Sequence, residues 1–571
     1  MKDLERFVRI AQGMEKAELV LKNAQVFHAF TGEFIQGDIA IAEGRVAGIG
    51  SYEGEREINL AGKYITPGFI DGHVHMESSM LSPLEFGRAA AAAGTTTVVA
   101  DPHEIANVAG LEGIRYMLDA SRDIPIRAYF MLPSCVPATP LEDSGAELLA
   151  QDLMTLMDEP RVLGLAEMMN VPGVLTGDTQ VYDKLRIAEG RRIDGHAPGV
   201  RGGALMGYAA AGVHSDHECV TVEEAMERLR AGMYLLIREG SAAKNLRALL
   251  PAVNELTAPF CCFVTDDRHP ADLVGEGGIN YMVRLAVQLG MPAARAIRMA
   301  TVNTARYFGL CDLGVIAPHY RADLLVFDDL ESWKPAMVFK GGELVARQGK
   351  ALDKGSAWTS HEMEHTVHLK ALDKEQLRIP MKGDRARVIG LVPEQIITRL
   401  LHQKVKVVHG EAVSDEQNDV LKLGVFERHH ATGKTAAALV QGFGLKHGAL
   451  ASTIAHDSHN LITIGSSDED MLLAAHELER LGGGIAVVSD GRVLGSLALP
   501  IGGLMTNSSA QEVASAVAEL VSLAYGLGVK ECYDPFLTLA FLSLPVIPAL
   551  KLTDRGLVDV DSFGFIPVDE S

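Results

Sequence analysis

Residues 67–80 read "PGFIDGHVHMESSM" and follow directly on the apolar run "KYIT". The pattern predicts a buried strand that ends in His73 and His75. Residues i and i+2 of a strand lie on the same face, so both imidazoles point the same way, about 7 Å apart by the strand rise. Two carboxylates, Asp71 and Glu77, flank the pair. Two histidines at this spacing are as compatible with a hydrogen-bonded core pair as with a metal site. Their place in the fold decides between these two interpretations.

Seven later segments share this design, because each is an apolar run that ends in polar or charged residues. Helical segments such as "TVEEAMERLRAG", closed by a C-terminal Gly, separate most of them. Alternating strands and helices predict a parallel sheet, and eight such units predict an α/β fold built as a (β/α)8 TIM-like barrel. The eight runs are residues 64–75, 95–104, 127–134, 162–170, 191–199, 211–218, 233–240 and 261–268.

Sequence of β character flanks the predicted barrel on both sides. Residues 18–60 and 313–349 read as short alternating strands broken by Gly-containing turns. Two segments with the same strand-and-turn pattern, one before and one after the barrel, suggest a single small β domain built from both. We therefore predict a β-sandwich domain from residues 1–63, with an N-terminal helix, and 310–355, a metal-dependent barrel over 64–309, and a C-terminal α+β domain over 356–571.

Composition and charge narrow the class of protein. The 571 residues carry a formal net charge of −22, which argues against a nucleic-acid partner because the phosphates would be repelled. The six cysteines form no CxxC pair, so neither a disulfide scaffold nor a Cys-based zinc site is indicated. No segment approaches the roughly 18 apolar residues of a membrane span, and the N-terminus lacks a signal-peptide pattern. We expect a cytoplasmic protein that acts on a small molecule, without a membrane or nucleic-acid partner.

Residues of the types that bind metal ions lie at the carboxyl ends of the predicted barrel strands, where the loops of such barrels converge. Glu167 ends the fourth run, His196 the fifth, His217 the sixth and Asp266 the eighth. Imidazole nitrogens and carboxylate oxygens are the ligands preferred by Zn, Mn and Fe(II). Six such groups on one rim would repel one another or stay unsatisfied without a cation. The sequence therefore predicts a metal site formed by His73, His75, Glu167, His196, His217 and Asp266.

This arrangement resembles the amidohydrolase superfamily, whose mark is HxH after the first strand, His after the fifth and sixth, and Asp after the eighth. The resemblance implies two divalent metal ions on the six residues above, with Mn and Fe(II) favoured and Zn also compatible. It places a bridging carboxylate after the fourth strand, where Glu167 stands in "GLAEMMN". Many binuclear members use a carboxylated lysine there, but Lys184 and Lys244 lie outside the predicted strand ends.

Further motifs narrow the resemblance to the bacterial-type adenine deaminases, over nearly the whole chain. The resemblance implies hydrolytic deamination of free adenine to hypoxanthine and ammonia, in purine salvage, by a hydroxide shared between the two metals. The alternative is another binuclear amidohydrolase that acts on a cyclic amide or an N-acetyl sugar. The motifs are "DPHEIANV" (101–108), "DGHAPG" (194–199), "SDHE" (215–218), "REGSA" (238–242), "TDDRHP" (265–270), "HDSHNLITIG" (456–465) and "GGLMT" (502–506).

Roles for individual residues follow from this resemblance. Asp266 is expected to accept the proton of the attacking hydroxide and to deliver it toward a purine nitrogen or the departing amine. His103 and Glu104, at the end of the second run, are candidate proton-transfer groups, and the structural alternative is a helix N-cap with a salt bridge. Arg238 and Glu239 end the seventh run and are candidate purine-binding residues.

The histidines of the C-terminal part remain open to several interpretations. His456 and His459 can cap loops, bind a further ion, or reach over the barrel mouth as part of a lid. His429 and His430 allow the same alternatives. We also expect a homodimer, because large cytoplasmic enzymes commonly form symmetric dimers.

Overall fold

The computed structural model describes residues 3–352, 355–393 and 395–571. In the described chain, the eight apolar runs each contribute a strand, and every hydrogen-bonded neighbour pair among these strands is parallel. The strands are buried almost throughout, because one face lines the barrel interior and the other is covered by helices. In chain order the barrel strands are Phe69–His75, Thr95–Ala100, Arg127–Leu132, Val162–Met168, Arg192–Gly195, Ser215–Asp216, Tyr234–Arg238 and Cys261–Val264.

The barrel strands form two sheets that continue into each other. The first five strands lie in chain order in one sheet, and the last three form the other. A short segment after the eighth strand, Asp266–Asp267, pairs with Val74 and His75 of the first strand. Between the fifth and sixth strands, the His214 N–H donates to the Ile193 carbonyl over 2.9 Å. The predicted barrel architecture is therefore confirmed.

The helix after the sixth barrel strand shows how local sequence signals set the ends of a helix. The helix Val222–Arg230 starts after Thr221, whose side chain accepts a hydrogen bond from Glu224 N–H in a capping box, and Gly232 follows it. Within the described ranges, no helix combines the length and apolar character needed to cross a membrane. The α-helices are Leu4–Ala11, Pro83–Ala92, His103–Ala120, Ala150–Met154, Val171–Thr176, Thr179–Ile187, Gly202–Ala210, Val222–Arg230, Leu246–Leu249, Pro270–Gly275, Ile279–Gln288, Ala293–Met299, Val302–Tyr307, Asp468–Leu481, Ala510–Gly526 and Pro535–Ala540.

The β segments before and after the barrel form one continuous sheet, as their shared strand-and-turn pattern predicts. The strand Leu324–Phe327 pairs antiparallel with Tyr64–Pro67, which joins sequence from both sides of the barrel. In the described residues this sheet has nine strands: Ala17–His28, Glu33–Ala42, Arg45–Gly50, Gly54–Asn59, Tyr64–Pro67, Leu324–Phe327, Met337–Lys340, Glu343–Arg347 and Lys350–Ala351.

The C-terminal part is built on a separate mixed sheet. Its helix Asp468–Leu481 packs on four strands that form one half of that sheet, Leu461–Gly465, Ala449–Ser452, Gly484–Ser489 and Arg492–Ala498. The strands are Arg385–Leu391, Thr398–Lys404, Val420–Phe426, Thr435–Gln441, Ala449–Ser452, Leu461–Gly465, Gly484–Ser489 and Arg492–Ala498. Smaller sheets are formed by Val407–Val408 with Glu411–Ala412, and by Leu550–Thr553, Gly556–Asp559 and Gly564–Phe565.

The C-terminal part lies against the rim of the barrel. Thr506 N–H donates to the Met80 carbonyl and Ser82 N–H donates to the Thr506 carbonyl, each over 2.9 Å. The helix Pro270–Gly275, after the eighth barrel strand, packs against Ala510–Gly526. The chain thus contains a barrel and two further sheets, one on each side of the predicted boundary near residue 355. The exact domain boundaries stay predictions. Residues 353 and 354, next to the predicted boundary at 355, lie outside the described residues.

We predict that Gly164→Ala destabilises the barrel. A Cβ at Gly164 would lie 1.9 Å from the backbone oxygen of Arg192 in the neighbouring strand. Relieving that overlap means moving backbone, at a cost of about 3 kcal/mol, which lowers the apparent melting temperature by roughly 6–10 °C. Differential scanning fluorimetry measures the change. Gly203→Ala is the matched control, because nothing lies within 4 Å of its Cβ, and it should melt at or above wild type. A Gly164→Ala variant that melts within about 1 °C of wild type contradicts the prediction.

Candidate metal centre

Glu167 lies between two pairs of imidazoles at the mouth of the barrel. Its Oε1 is 3.2 Å from His73 Nε2 and 3.0 Å from His75 Nε2. Its Oε2 is 2.7 Å from His196 Nδ1 and 3.5 Å from His217 Nε2. One carboxylate at the end of the fourth strand therefore links the histidines of the first strand with those of the fifth and sixth.

Asp266 completes the half of the cluster that faces the first strand. Its Oδ1 is 3.0 Å from His75 Nε2 and 3.4 Å from His73 Nε2. Asp266 has φ +58°, in the left-handed region that few residues other than Gly adopt. Backbone strain of this kind persists where the surrounding structure enforces it, and here the pairing of residues 266–267 with the first strand does so. The structure thus brings together all six residues predicted as metal ligands.

The donor set fits a divalent cation. His73, Glu167, His217 and Asp266 are buried, and their ligand atoms all lie within 4.8 Å of one another. His73 Nε2 is buried without a hydrogen-bond partner among the described residues, although it points at two carboxylates. A buried nitrogen in this state is costly unless a further group satisfies it, and a cation satisfies nitrogen and carboxylate oxygen together.

Electrostatics at the cluster also favour a cation. Burial lowers the pKa of an imidazole, but the neighbouring carboxylates outweigh it and raise the pKa of His73 to about 10 and that of His196 to about 9. Although burial opposes ionisation, the surrounding histidines hold the pKa of Glu167 well below its usual range, and Arg238 does so most strongly for Asp266. Positive charge beside the two carboxylates therefore stabilises their ionised form, and a divalent cation can supply that charge.

His103 and Glu104 begin the helix that follows the second strand, and their side chains contact each other, with His103 Nε2 3.5 Å from Glu104 Oε1. His103 Nδ1 is 2.9 Å from Asp101 Oδ2 and 3.8 Å from Glu167 Oε1, so His103 borders the cluster. Glu104 turns toward the C-terminal part, where its Oε1 is 2.8 Å from His456 Nδ1. Neither side chain caps the helix, and both take part in ion pairs.

Arg238 and Glu239 differ in the same way. Arg238 Nη1 donates to Asp266 Oδ2 over 2.7 Å and also contacts Glu218. Glu239 Oε2 accepts a hydrogen bond from Leu246 N–H over 3.0 Å and is turned away from the cluster. The structure therefore brings the Arg238 side chain to the site but directs that of Glu239 to a loop backbone.

Three acidic residues near the cluster were not singled out from the sequence. Glu218 Oε1 is 3.3 Å from His217 Nε2, and its position directly after His217 at a strand end was a usable signal. Asp101 could have been found similarly, since it precedes His103 at the end of the second run. Asp457 Oδ1 is 4.0 Å from His103 Nε2, but it comes from the C-terminal part, and no local pattern indicates that approach.

Comparisons with known proteins cover the whole chain. The model of the family described as "Amidohydrolase family" matches residues 64–345, and that of the "Adenine deaminase C-terminal domain" matches residues 395–564. The chain is 56% identical over 568 residues to adenine deaminase 2 of Carboxydothermus hydrogenoformans, covering 100% of both chains. It is 46% identical over 567 residues to an adenine deaminase of Clostridium acetobutylicum, covering 99% of this chain and 100% of the relative.

Solved structures match part of the chain. One is the L-hydantoinase (dihydropyrimidinase) from Arthrobacter aurescens, at 14% identity and a TM-score of 0.47, covering 59% of this chain and 98% of that one. Another is the β-aspartyl dipeptidase from Fervidobacterium islandicum AW-1, at 18% identity and a TM-score of 0.45, covering 59% of this chain and 99% of that one.

We predict that Glu167→Gln loses at least half of the divalent metal bound per chain. The substitution keeps the shape of the side chain but removes the charge that both pairs of histidines face. Elemental analysis after dialysis measures the metal content. Glu239→Gln is the matched control on the same rim, because that side chain faces Leu246 N–H, and it should retain the wild-type content. Equal metal in the Glu167→Gln variant and wild type would refute the assignment.

Proposed function

Because the chain belongs to the adenine deaminase family of amidohydrolases, we propose that its six-residue cluster binds two divalent ions for the hydrolysis of adenine to hypoxanthine and ammonia. Mn or Fe(II) is favoured, and Zn is also compatible with these ligands. The activity itself follows from relatives of that name that match the full length of the chain. The observation that carries the assignment of two ions is the position of Glu167, with one oxygen toward each pair of imidazoles.

The cluster divides into two sets of ligand atoms around Glu167. His73, His75 and Asp266 with Glu167 Oε1 would hold one ion, and His196 and His217 with Glu167 Oε2 would hold the other. Divalent cations bound in this way lower the pKa of a water molecule toward neutrality and so supply a nucleophile at physiological pH. Adenine is an uncharged substrate, so the net negative charge of the protein does not oppose its entry.

Asp266 is suited to move the proton that the reaction releases. Arg238 Nη1 donates to its Oδ2 over 2.7 Å, which fixes the orientation of the carboxylate. We assign Asp266 as the group that accepts the proton of the attacking water and passes it toward the departing amine. The C6–N bond breaks, ammonia leaves, and hypoxanthine remains.

His103 is placed to assist this proton transfer. Asp101 Oδ2 orients its Nδ1, and its Nε2 is 3.5 Å from Glu104 Oε1. A carboxylate behind an imidazole fixes the orientation of the ring and favours its protonated form. We propose that His103 and Glu104 relay protons beside the cluster.

The proposed activity also suggests a cellular role and an assembly state for the protein. We propose that the protein serves purine salvage in the cytoplasm and acts as a homodimer. Size-exclusion chromatography with light scattering tests the dimer.

We predict that Asp266→Asn lowers kcat for adenine by at least about 100-fold, because the amide cannot accept the proton. Asn tolerates the left-handed backbone at this position, so the fold should persist. The assay is the change in ultraviolet absorbance as metal-loaded protein converts adenine, with ammonia as the second product. Asp272→Asn is the matched control, since Asp272 contacts Ser241 and should leave kcat unchanged.

Two results would contradict the proposed function. One is unchanged ammonia release by the Asp266→Asn variant. The other is turnover of a hydantoin, a lactam or an N-acetylhexosamine by metal-loaded wild type that leaves adenine untouched.

A further inference from the structure

One edge of the C-terminal sheet has no partner strand. The strand Arg492–Ala498, named here the open edge, ends the eight-stranded sheet and pairs with Gly484–Ser489 on one side only. Residues of an edge strand direct N–H and C=O groups away from the sheet. Within the described residues, no hydrogen bond joins the main chain of the open edge to anything beyond Gly484–Ser489. The open edge therefore presents a row of backbone donors and acceptors that matches a further strand.

The opposite edge of the same sheet is protected against such pairing. Its strand Thr398–Lys404 carries the charged side chains of Arg399 and Lys404. The N–H of Thr398 also donates to the Pro548 carbonyl over 2.9 Å, so another segment of the chain covers one end of that strand. Charged side chains and covering segments are the usual means by which a protein keeps a sheet edge from pairing. The two edges thus differ in the features that prevent association.

The open edge has the composition of a strand that pairs on both sides. It reads "RVLGSLA", in which Arg492 is the one charged residue. Val493 is 38% exposed and Leu494 is 43% exposed. The pairing with Gly484–Ser489 passes over Leu494, so the backbone groups of this bulged residue have no partner in that strand. An exposed edge strand that is apolar and nearly uncharged is expected to pair with a further strand.

The helices Asp468–Leu481 and Ala510–Gly526 cover the two faces of the sheet beside the open edge. Ser496 Oγ donates to Glu477 Oε1 of the first helix over 3.0 Å. A Cβ at Gly495, which faces the other side, would lie 2.9 Å from a side chain of the second helix. Both faces are therefore occupied by the chain itself. A partner reaches the strand along the hydrogen-bonding direction, where a further strand fits.

We propose that the open edge pairs antiparallel with the open edge of a second copy of this chain, centred on Gly495, and so forms the interface of a homodimer. A two-fold axis at Gly495 places residue 492 opposite residue 498, so that all seven residues pair. It also places Val493 opposite Leu497 of the second copy, and these apolar side chains leave water together. This inference rests on the proposed homodimer, since it names the interface, and not on the proposed reaction.

The charge of the protein favours this surface for a contact between copies. Two chains with a formal net charge of −22 each repel each other, so they associate most readily where acidic side chains are absent. The open edge contains no acidic residue. A second copy supplies a matching uncharged strand at the same concentration as the protein itself.

The first test places positive charge on the open edge. In the double variant Val493→Lys/Leu494→Lys, the paired strands of a dimer would bring four ammonium groups together and bury part of their surface. We expect the dissociation constant of the dimer to rise at least about 10-fold, measured by sedimentation velocity across a concentration series. Metal content and far-ultraviolet circular dichroism should match wild type, because no residue of the metal cluster lies on this strand.

A matched control adds the same charge elsewhere in the C-terminal part. Ile397 is 44% exposed and Val408 is 41% exposed, and neither belongs to the open edge. The double variant Ile397→Lys/Val408→Lys should keep the dissociation constant of wild type. A dimer of undiminished affinity in Val493→Lys/Leu494→Lys overturns the proposal, and so does dissociation of the control variant alone.

A covalent crosslink tests the orientation of the two strands. Leu494→Cys/Ser496→Cys is made in a background in which the exposed Cys311 and Cys532 are replaced by Ser. With the axis at Gly495, position 494 of one copy lies opposite position 496 of the other, with Cα atoms about 4.5–5.5 Å apart, which suits a disulfide. Mild oxidation should give a covalent dimer on a denaturing gel. Its absence at concentrations where the protein is dimeric overturns the proposal.

Salt dependence separates this interface from an ionic one. Raising the NaCl concentration from about 0.05 M to about 0.5 M screens the repulsion between the two negative chains, so the dimer should become tighter. A dimer that weakens with salt depends on ion pairs and overturns the proposal. Wild type that stays monomeric also overturns it, and leaves the open edge to a strand of another protein. Adenine turnover, measured on the same samples, decides the proposed reaction independently of these outcomes.

Discussion

The site depends on one buried carboxylate whose two oxygens face different parts of the barrel. Glu167 is 3% exposed, and the cost of burying its charge is offset only by the groups around it. Those groups come from the first, fifth and sixth strands, so they surround Glu167 only in a closed barrel. Gly164 lies three residues earlier, where the backbone of the fifth strand approaches too closely for a side chain. Fold and site are therefore specified by the same strand.

Residues next to the metal-ligand side chains tie the strand ends together. Asp71 accepts hydrogen bonds from Thr265 N–H over 3.1 Å and Thr265 Oγ1 over 2.5 Å, which joins the first strand to the eighth beside Asp266. Arg228 does the same for the fifth and sixth strands, since its Nε donates to Asp216 Oδ2 over 2.8 Å and its Nη2 to the Ala197 carbonyl. Such supporting contacts hold metal ligands in a fixed orientation before a metal binds.

Much of this arrangement is readable from sequence because it follows from local periodicity and from the geometry of parallel strands. Apolar runs that end in His, Asp or Glu predict both the strands and the rim on which the six cluster residues meet. Side-chain direction after the strand end is a different matter. Glu239 follows Arg238 directly, yet its carboxylate turns to Leu246 N–H because that loop backbone offers a donor. The pairing of Glu104 with His456 joins two distant segments, and no spacing rule encodes it. The roles of the individual site residues stay predictions until variants are measured.

The contacts of Thr506 with Met80 and Ser82 bear on how the protein matures. Synthesis proceeds from the N-terminus, so the barrel emerges from the ribosome well before the segment that seals its mouth. The backbone hydrogen bonds of Met80 and Ser82 with Thr506 can therefore form only after more than four hundred further residues have been added. This part of the barrel rim is completed by a segment made late in synthesis.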